Sequence, residues 1–152
     1  MPECLEATLD KFTFRVAKDR LYTEDGVWVL PIQGGQGPLV RLGVTDFFQQ
    51  HNGDVAFANI QPLETQLESG DEFAEIETMK VTVGLPSPLK GRVAEVNEAV
   101  VRTPEFINQD PYDRGWLAVI AAADWESDRT KLLDPAAYLA TMRSQAEQEL
   151  SR

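Results

Sequence analysis

One cysteine and one histidine are all that these 152 residues hold of the two side chains that most often bind zinc. Cys4 has no partner for an internal disulfide, which fits a reducing compartment, and it reads as an incidental residue of a loose N-terminal arm over residues 1–20. His51, with no second histidine and no cysteine cluster, does not make a metal site, nor does it make a nucleophile–histidine relay. Positive charge is scarce too: 14 Lys and Arg face 25 Asp and Glu, for a net charge of −11. Such a surface repels phosphate backbones and anionic membranes, so neither nucleic acid nor membrane is expected as a partner. No apolar run is long enough to span a bilayer. The acidic opening Met1-Pro-Glu-Cys-Leu-Glu6 is unlike the basic start of a signal peptide, and a cytoplasmic protein is expected. The length suits one domain with a core of ordinary size.

The sequence is rich in short extended segments. Phe12, Phe14 and Val16 alternate as an edge strand would. Leu21 to Leu30 reads as strand, Asp25-Gly26 turn, strand, because Asp-Gly suits tight hairpins. Gly34-Gly-Gln-Gly37 lacks the Lys-Ser/Thr of a phosphate loop and reads as a hairpin turn. Val40 to Val44 is a short strand, and Thr45 caps a helix that ends near Asn52-Gly53, with His51 in its last turn. From Gly53 to Ile120 two strand-rich halves follow one another, which suggests an internal pseudo-twofold. Thr103-Pro104-Glu105 starts a helix with proline at its first position. Asn108 to Gly115 forms a polar corner. Asp134-Pro135 then opens a C-terminal helix over 134–152, whose Tyr138, Met142, Ala146 and Leu150 make one apolar stripe that packs on the body.

Glu75 to Val83 carries the chemistry. An alternating acidic segment with Phe73 and Ile76 precedes Lys80, and the β-branched Val81-Thr82-Val83 follows it. Both flanks favour strands, so Lys80 falls at a hairpin turn. A lysine at such a turn is ordinarily a solvated charge. Here Glu68, Asp71, Glu72, Glu75 and Glu77 precede it and Pro86-Ser-Pro-Leu-Lys-Gly91 follows, a context that resembles the modified hairpin of lipoyl and biotinyl carrier domains.

The rest of the chain extends that likeness. Tyr22-Thr23…Trp28-Val29, Leu42 to Phe47, Gly70-Asp-Glu-Phe73, Glu77-Thr-Met-Lys80, Ser87 to Gly91, Val96 to Ala99, Asp110-Pro-Tyr112, Gly115-Trp-Leu117 and Ala137-Tyr138 appear in order. Over residues 21–138 the chain thus resembles the H protein of the glycine cleavage system. The resemblance implies a mainly β fold: a flattened two-sheet β-barrel (the lipoyl/biotinyl barrel-sandwich hybrid) with short peripheral helices and a C-terminal helix. It implies lipoate in amide linkage to Lys80, with Glu77, Met79 and Val81 as the hairpin around it. The arm would extend on the order of 14 Å from the backbone. Biotin carriers share Met79 but usually read Ala-Met-Lys-Met where this chain has Thr78-Met-Lys-Val81, and they lack the Asp110-Pro-Tyr…Gly115-Trp segment. Such a carrier is not itself an enzyme. Its partners are a lipoate-protein ligase or lipoyltransferase and the enzymes that work on the arm.

Three positions depart from the H-protein pattern. Gly26 and Val27 stand where the family has His and Glu, and Gly84 stands where it commonly has an acid. Without those side chains, a neutral cleft is expected beside the arm, one better suited to a thiol-borne sulfur than to a cationic amine. The sequence is therefore read as the H-like lipoate-binding branch of sulfur oxidation, with heterodisulfide-reductase-like enzymes as partners. The alternative is glycine cleavage itself, carrying the aminomethyl group between glycine decarboxylase, aminomethyltransferase and dihydrolipoamide dehydrogenase, with Asp25 replacing the lost acid. A second alternative is a partner-binding module that is never acylated.

Overall fold

The computed structural model describes residues 2–32 and 38–150, so the turn expected at Gly34-Gly-Gln-Gly37 lies outside the described residues. Strands β1 (Cys4–Leu9) and β2 (Phe12–Ala17) pair antiparallel from Cys4↔Ala17 to Leu9↔Phe12. Their turn is tight because Asp10 takes a left-handed φ of 57°. The N-terminal segment is therefore no loose arm. The single edge strand expected from Phe12, Phe14 and Val16 is the second half of a hairpin whose first half, Cys4–Leu9, alternates too weakly in hydrophobicity to be read as a strand.

Strands β3 (Leu21–Tyr22) and β4 (Val27–Ile32) follow the Asp25-Gly26 turn reading, and β5 (Leu39–Val44) pairs with β4 through Val29↔Leu42. Helix α1 (Asp46–Asn52) starts where Thr45 Oγ1 accepts from the Phe48 amide at 3.2 Å, and it stops at Gly53, whose φ of 86° is one that side chains rarely adopt. Next come β6 (Val55–Ile60), β7 (Gln66–Leu67), β8 (Glu72–Thr78), β9 (Thr82–Pro86) and β10 (Gly91–Val96). Helices α2 (Glu98–Arg102) and α3 (Glu105–Gln109) lead to β11 (Ala118–Ala122), then α4 (Trp125–Asp128) and α5 (Pro135–Leu150). α2 and α4 are too short for periodicity to reveal, although Asn97 and Asp124 cap them as Asx residues do.

Six strands in the order β3-β4-β5-β11-β10-β7 form one sheet, and β6-β8-β9 form a second. The fold is thus the expected mainly β, flattened two-sheet structure with peripheral helices and a C-terminal helix. One correction concerns closure: among the described residues no strand pairing joins the two sheets, so they face each other as a sandwich and are not a closed barrel. The two repeated halves each supply an antiparallel pair, β6 with β8 and β10 with β11, but in different sheets.

The run Val27-Trp28-Val29 shows why the larger sheet is covered on both faces. Alternate residues of a strand point to opposite sides. Val27 and Val29 enter the core between the sheets with Leu42, Phe73, Ile76 and Ile120. Trp28 faces the other way, into a second core with Tyr22, Phe14, Val16, Tyr138 and Met142. Helix α5 and the N-terminal hairpin close that second core. Asp134 Oδ1 accepts from the Ala137 amide at 2.8 Å to start α5, and Tyr138, Met142 and Ala146 are buried as one stripe. Leu150, the fourth member of the expected stripe, is 49% exposed.

Polar atoms in this second core are matched. Tyr22 and Tyr138 stack at 4.6 Å, the Tyr22 hydroxyl donates to the Ala17 carbonyl at 2.6 Å, and the Tyr138 hydroxyl meets Thr45 Oγ1 at 2.8 Å. Trp28 Nε1 donates to the Pro111 carbonyl at 2.9 Å, and the Arg20 guanidinium lies 4.6 Å from the Trp28 ring centre. Burial pushes the Tyr138 phenol up to about 12 and raises Tyr22 and Tyr112 as well. Phenols of the unfolded chain ionise near pH 10. Above about pH 10 the unfolded state loses protons that the folded state keeps, so stability falls as pH rises, by about 1.4 kcal/mol per pH unit for each such group until its folded pKa is passed. Denaturant unfolding between about pH 8 and 11.5 should show this decline, and Tyr138→Phe should make it shallower; an equal slope in that variant would refute the assignment.

Candidate functional site

Lys80 stands at the tip of the β8–β9 hairpin. The hairpin is held in register by Glu77↔Thr82, Ile76↔Val83 and Glu75↔Gly84, and anchored by buried Phe73, Ile76 and Leu85. The turn is braced by one side chain. Thr78 Oγ1 accepts from the Lys80 amide at 3.1 Å and from the Val81 amide at 3.2 Å, while the Thr78 amide donates to the Val81 carbonyl at 2.9 Å. Without that hydroxyl, those two amides would have only water as a partner in so short a turn. Met79 projects outward, 90% exposed, and Val81 is 41% exposed. Glu77 sits on β8 directly before the turn. The four residues expected from sequence are therefore adjacent at one tip, although nothing in that geometry alone assigns them a cofactor.

The lysine leans towards helix α1. Its Nζ donates to the His51 carbonyl at 3.1 Å, one of the carbonyls that a helix leaves unpaired at its negative end. Asn108 holds that end in place: its Oδ1 accepts from the Val55 amide at 2.9 Å and its Nδ2 donates to the Gly53 carbonyl at 3.0 Å. The sequence places Asn108 in a polar corner and gives no sign of this strut, which links α3 to a helix end more than fifty positions away.

Beside the hairpin lies a cleft of about 290 Å³ whose walls include Asp25, Gly26, Phe47, His51, Val83, Gln145 and Glu149. This corrects the expectation of a neutral cleft. Gly26 has φ 87°, which the Asp25-Gly26 turn requires and which a histidine would adopt only under strain. Val27 is wholly buried between the sheets. Val83 forms the strand wall, while a Cβ on Gly84 would run into the Glu72 carboxylate. Carboxylates nevertheless reach the cleft, from the turn (Asp25, the replacement expected under the glycine-cleavage alternative) and from the last turn of α5 (Glu149), which the sequence does not point to. Of the five acids before Lys80, Glu68 pairs with Lys90 at 3.8 Å and Asp71 accepts from the Glu68 amide at 2.8 Å, which leaves Glu72, Glu75 and Glu77 along β8. Among the described residues no cluster suits a metal ion.

A family model described as "Glycine cleavage H-protein" matches residues 20–145. The chain belongs to the glycine cleavage H-protein family. It is 35% identical over 131 residues to a glycine cleavage system H protein of Thermus thermophilus, covering 86% of this chain and 98% of that one. It is 32% identical over 132 residues to one of Carboxydothermus hydrogenoformans, covering 87% and 98%. The crystal structure of a glycine cleavage system H protein from Mycobacterium marinum matches with a TM-score of 0.72 and 29% identity, over 82% of this chain and 97% of that chain. Family members carry covalently attached lipoate and are carriers, not catalysts. Nothing in these matches supports the sulfur-oxidation branch.

The brace makes a test of the turn as part of this H-protein site. Thr78→Val keeps the shape of the side chain but leaves the exposed Lys80 and Val81 amides to water, at a cost of about 0.5–1.5 kcal/mol for each lost bond. Hydrogen exchange at those two amides should speed up while Phe73 and Ile76 stay protected; unchanged exchange at Lys80 would show that the hydroxyl does not hold the turn.

Proposed function

We propose that this chain is the lipoyl carrier of a glycine cleavage system, with lipoate in amide linkage to Lys80. The observation that carries the reading is the combination of one exposed amine on a braced hairpin tip with an adjoining cleft that bears Asp25 and Glu149. The residues present fit the group. Lys80 meets an outside enzyme without any unfolding, and acylation removes a charge whose one hydrogen bond described here is to an exposed backbone carbonyl. Bound there, lipoate supplies a cyclic disulfide that two electrons or an attacking thiolate can open.

The chain's own contribution is placement. Thr78 fixes the backbone under Lys80, and Met79, Val81 and Glu77 form the surface that a lipoate-protein ligase or lipoyltransferase would read around the target amine. Asp25 gives the cleft an electrostatic preference for a cationic, amine-bearing load over a neutral one. No described group in the cleft forms a nucleophile–base pair, which suits a protein that serves glycine decarboxylase, aminomethyltransferase and dihydrolipoamide dehydrogenase as a shared substrate. Tethering raises the local concentration of the arm at each partner in turn. A sulfur load, neutral or anionic, gains nothing from that carboxylate, so glycine cleavage is preferred to sulfur oxidation.

Intact-mass measurement of the chain after incubation with a lipoate ligase and lipoate should show the gain of one lipoyl group, and Lys80→Arg should abolish it. A chain that stays unmodified is the partner-binding module. The lipoylated protein should then support carbon dioxide release from glycine by glycine decarboxylase at a rate comparable with an authentic H protein. Negligible release, together with a sulfur adduct on the reduced arm after exposure to a persulfide donor, would restore the sulfur-carrier reading.

A further inference from the structure

The family match begins at residue 20, so the whole β1–β2 hairpin lies outside it. Even so, that hairpin builds a wall close to Lys80. A groove of about 190 Å³ runs between the hairpin, α1 and the end of α5, with Phe12, Phe14, Phe47, His51, Glu149 and Leu150 among the residues on its sides. The rings form a continuous row. Phe12 stacks on Phe14 at 6.2 Å, Phe14 meets Phe47 edge-on at 5.3 Å, and Phe47 stacks on the His51 imidazole at 5.5 Å. The row ends at the residue whose carbonyl accepts from Lys80 Nζ. Phe47, His51 and Glu149 also line the cleft, so cleft and groove share a wall. At the far rim Phe12 and Leu150 remain 41% and 49% exposed.

We infer that this groove is a second resting place for the arm on Lys80, taking the uncharged dithiolane end when the arm carries no load. The inference rests on lipoylation of Lys80. An unloaded dithiolane carries no charge for Asp25 to attract, whereas its carbons and polarisable sulfurs gain from aromatic neighbours. Reach is sufficient: of an arm on the order of 14 Å from the Lys80 backbone, roughly half lies beyond the amine that meets the His51 carbonyl, and His51 is itself part of the groove. The two sites differ by Asp25, which lines only the cleft, and by Phe12 and Phe14, which line only the groove. The side with Asp25 receives the arm when it bears an amine, and the phenylalanine side receives it when it is empty. The second site depends on a hairpin that the family framework does not include.

The test uses the lipoylated full chain and its lipoylated variant Phe12→Ser/Leu150→Ser. These substitutions touch the exposed rim and leave Phe14 and Phe47 to hold the hairpin. Reduction of the oxidised arm by a water-soluble phosphine should be about fivefold faster in the variant, the population change expected when a docked ring loses some 40 Å² of apolar contact. Lipoylation of the unsubstituted chain should also shift the ring resonances of Phe14 and Phe47 relative to the unmodified chain. Equal reduction rates with unshifted rings, on a chain whose mass shows the lipoyl group, would overturn the groove and leave the carrier function standing. A mass that shows no lipoyl group on Lys80 would overturn both. Should the double variant lose the hairpin, the ring resonances of the unsubstituted chain decide the matter alone.

Discussion

The structure depends on burying both faces of β4. Val27 and Val29 have to leave water on one side and Trp28 on the other, and one sheet packed on another can satisfy only the first requirement. The second face needs a cover, and α5 with the N-terminal hairpin provides it, held through the Tyr22–Tyr138 stack and the bond from Tyr138 to Thr45. That last contact ties the cover to the first residue of the α1 cap. Since the other end of α1 receives Lys80, the packing of the rear core sets the position of the surface on which the functional lysine lies.

What could be read from the sequence was what local rules decide. Asp25-Gly26, Thr45, Asn52-Gly53 and Asp134-Pro135 each state a turn or a cap within a few residues, and each is found where those residues place it. Lys80 was legible for the same reason, because the strands on both sides of it declare themselves by alternation and β-branching. The β1–β2 hairpin was legible only in part. Its buried residues are Ala7, Phe14, Val16 and Ala17, and the one small residue in the first strand leaves no visible pattern until α5 is there to cover it.

The cleft was misread because its chemistry is not local. Subtracting family side chains at Gly26, Val27 and Gly84 assumes that a lost carboxylate is replaced, if at all, on the same segment. Here Glu149 arrives from a helix more than sixty residues after Lys80, and Val27 and Gly84 prove to face elsewhere. The same remoteness hides Asn108, whose value lies entirely in what it bridges.

The acceptor that meets Lys80 is a peptide oxygen. Such an atom has no proton to lose and no side chain to exchange, so the contact is insensitive to the ionisation of the His51 ring and survives any substitution at that position that preserves the helix end. An acylated lysine nitrogen keeps one hydrogen, so the same oxygen has a donor to receive before and after modification. The Lys80 side chain thus has a parking point built from main chain alone, one that acidity does not switch and that drift in the side chain at position 51 would leave intact.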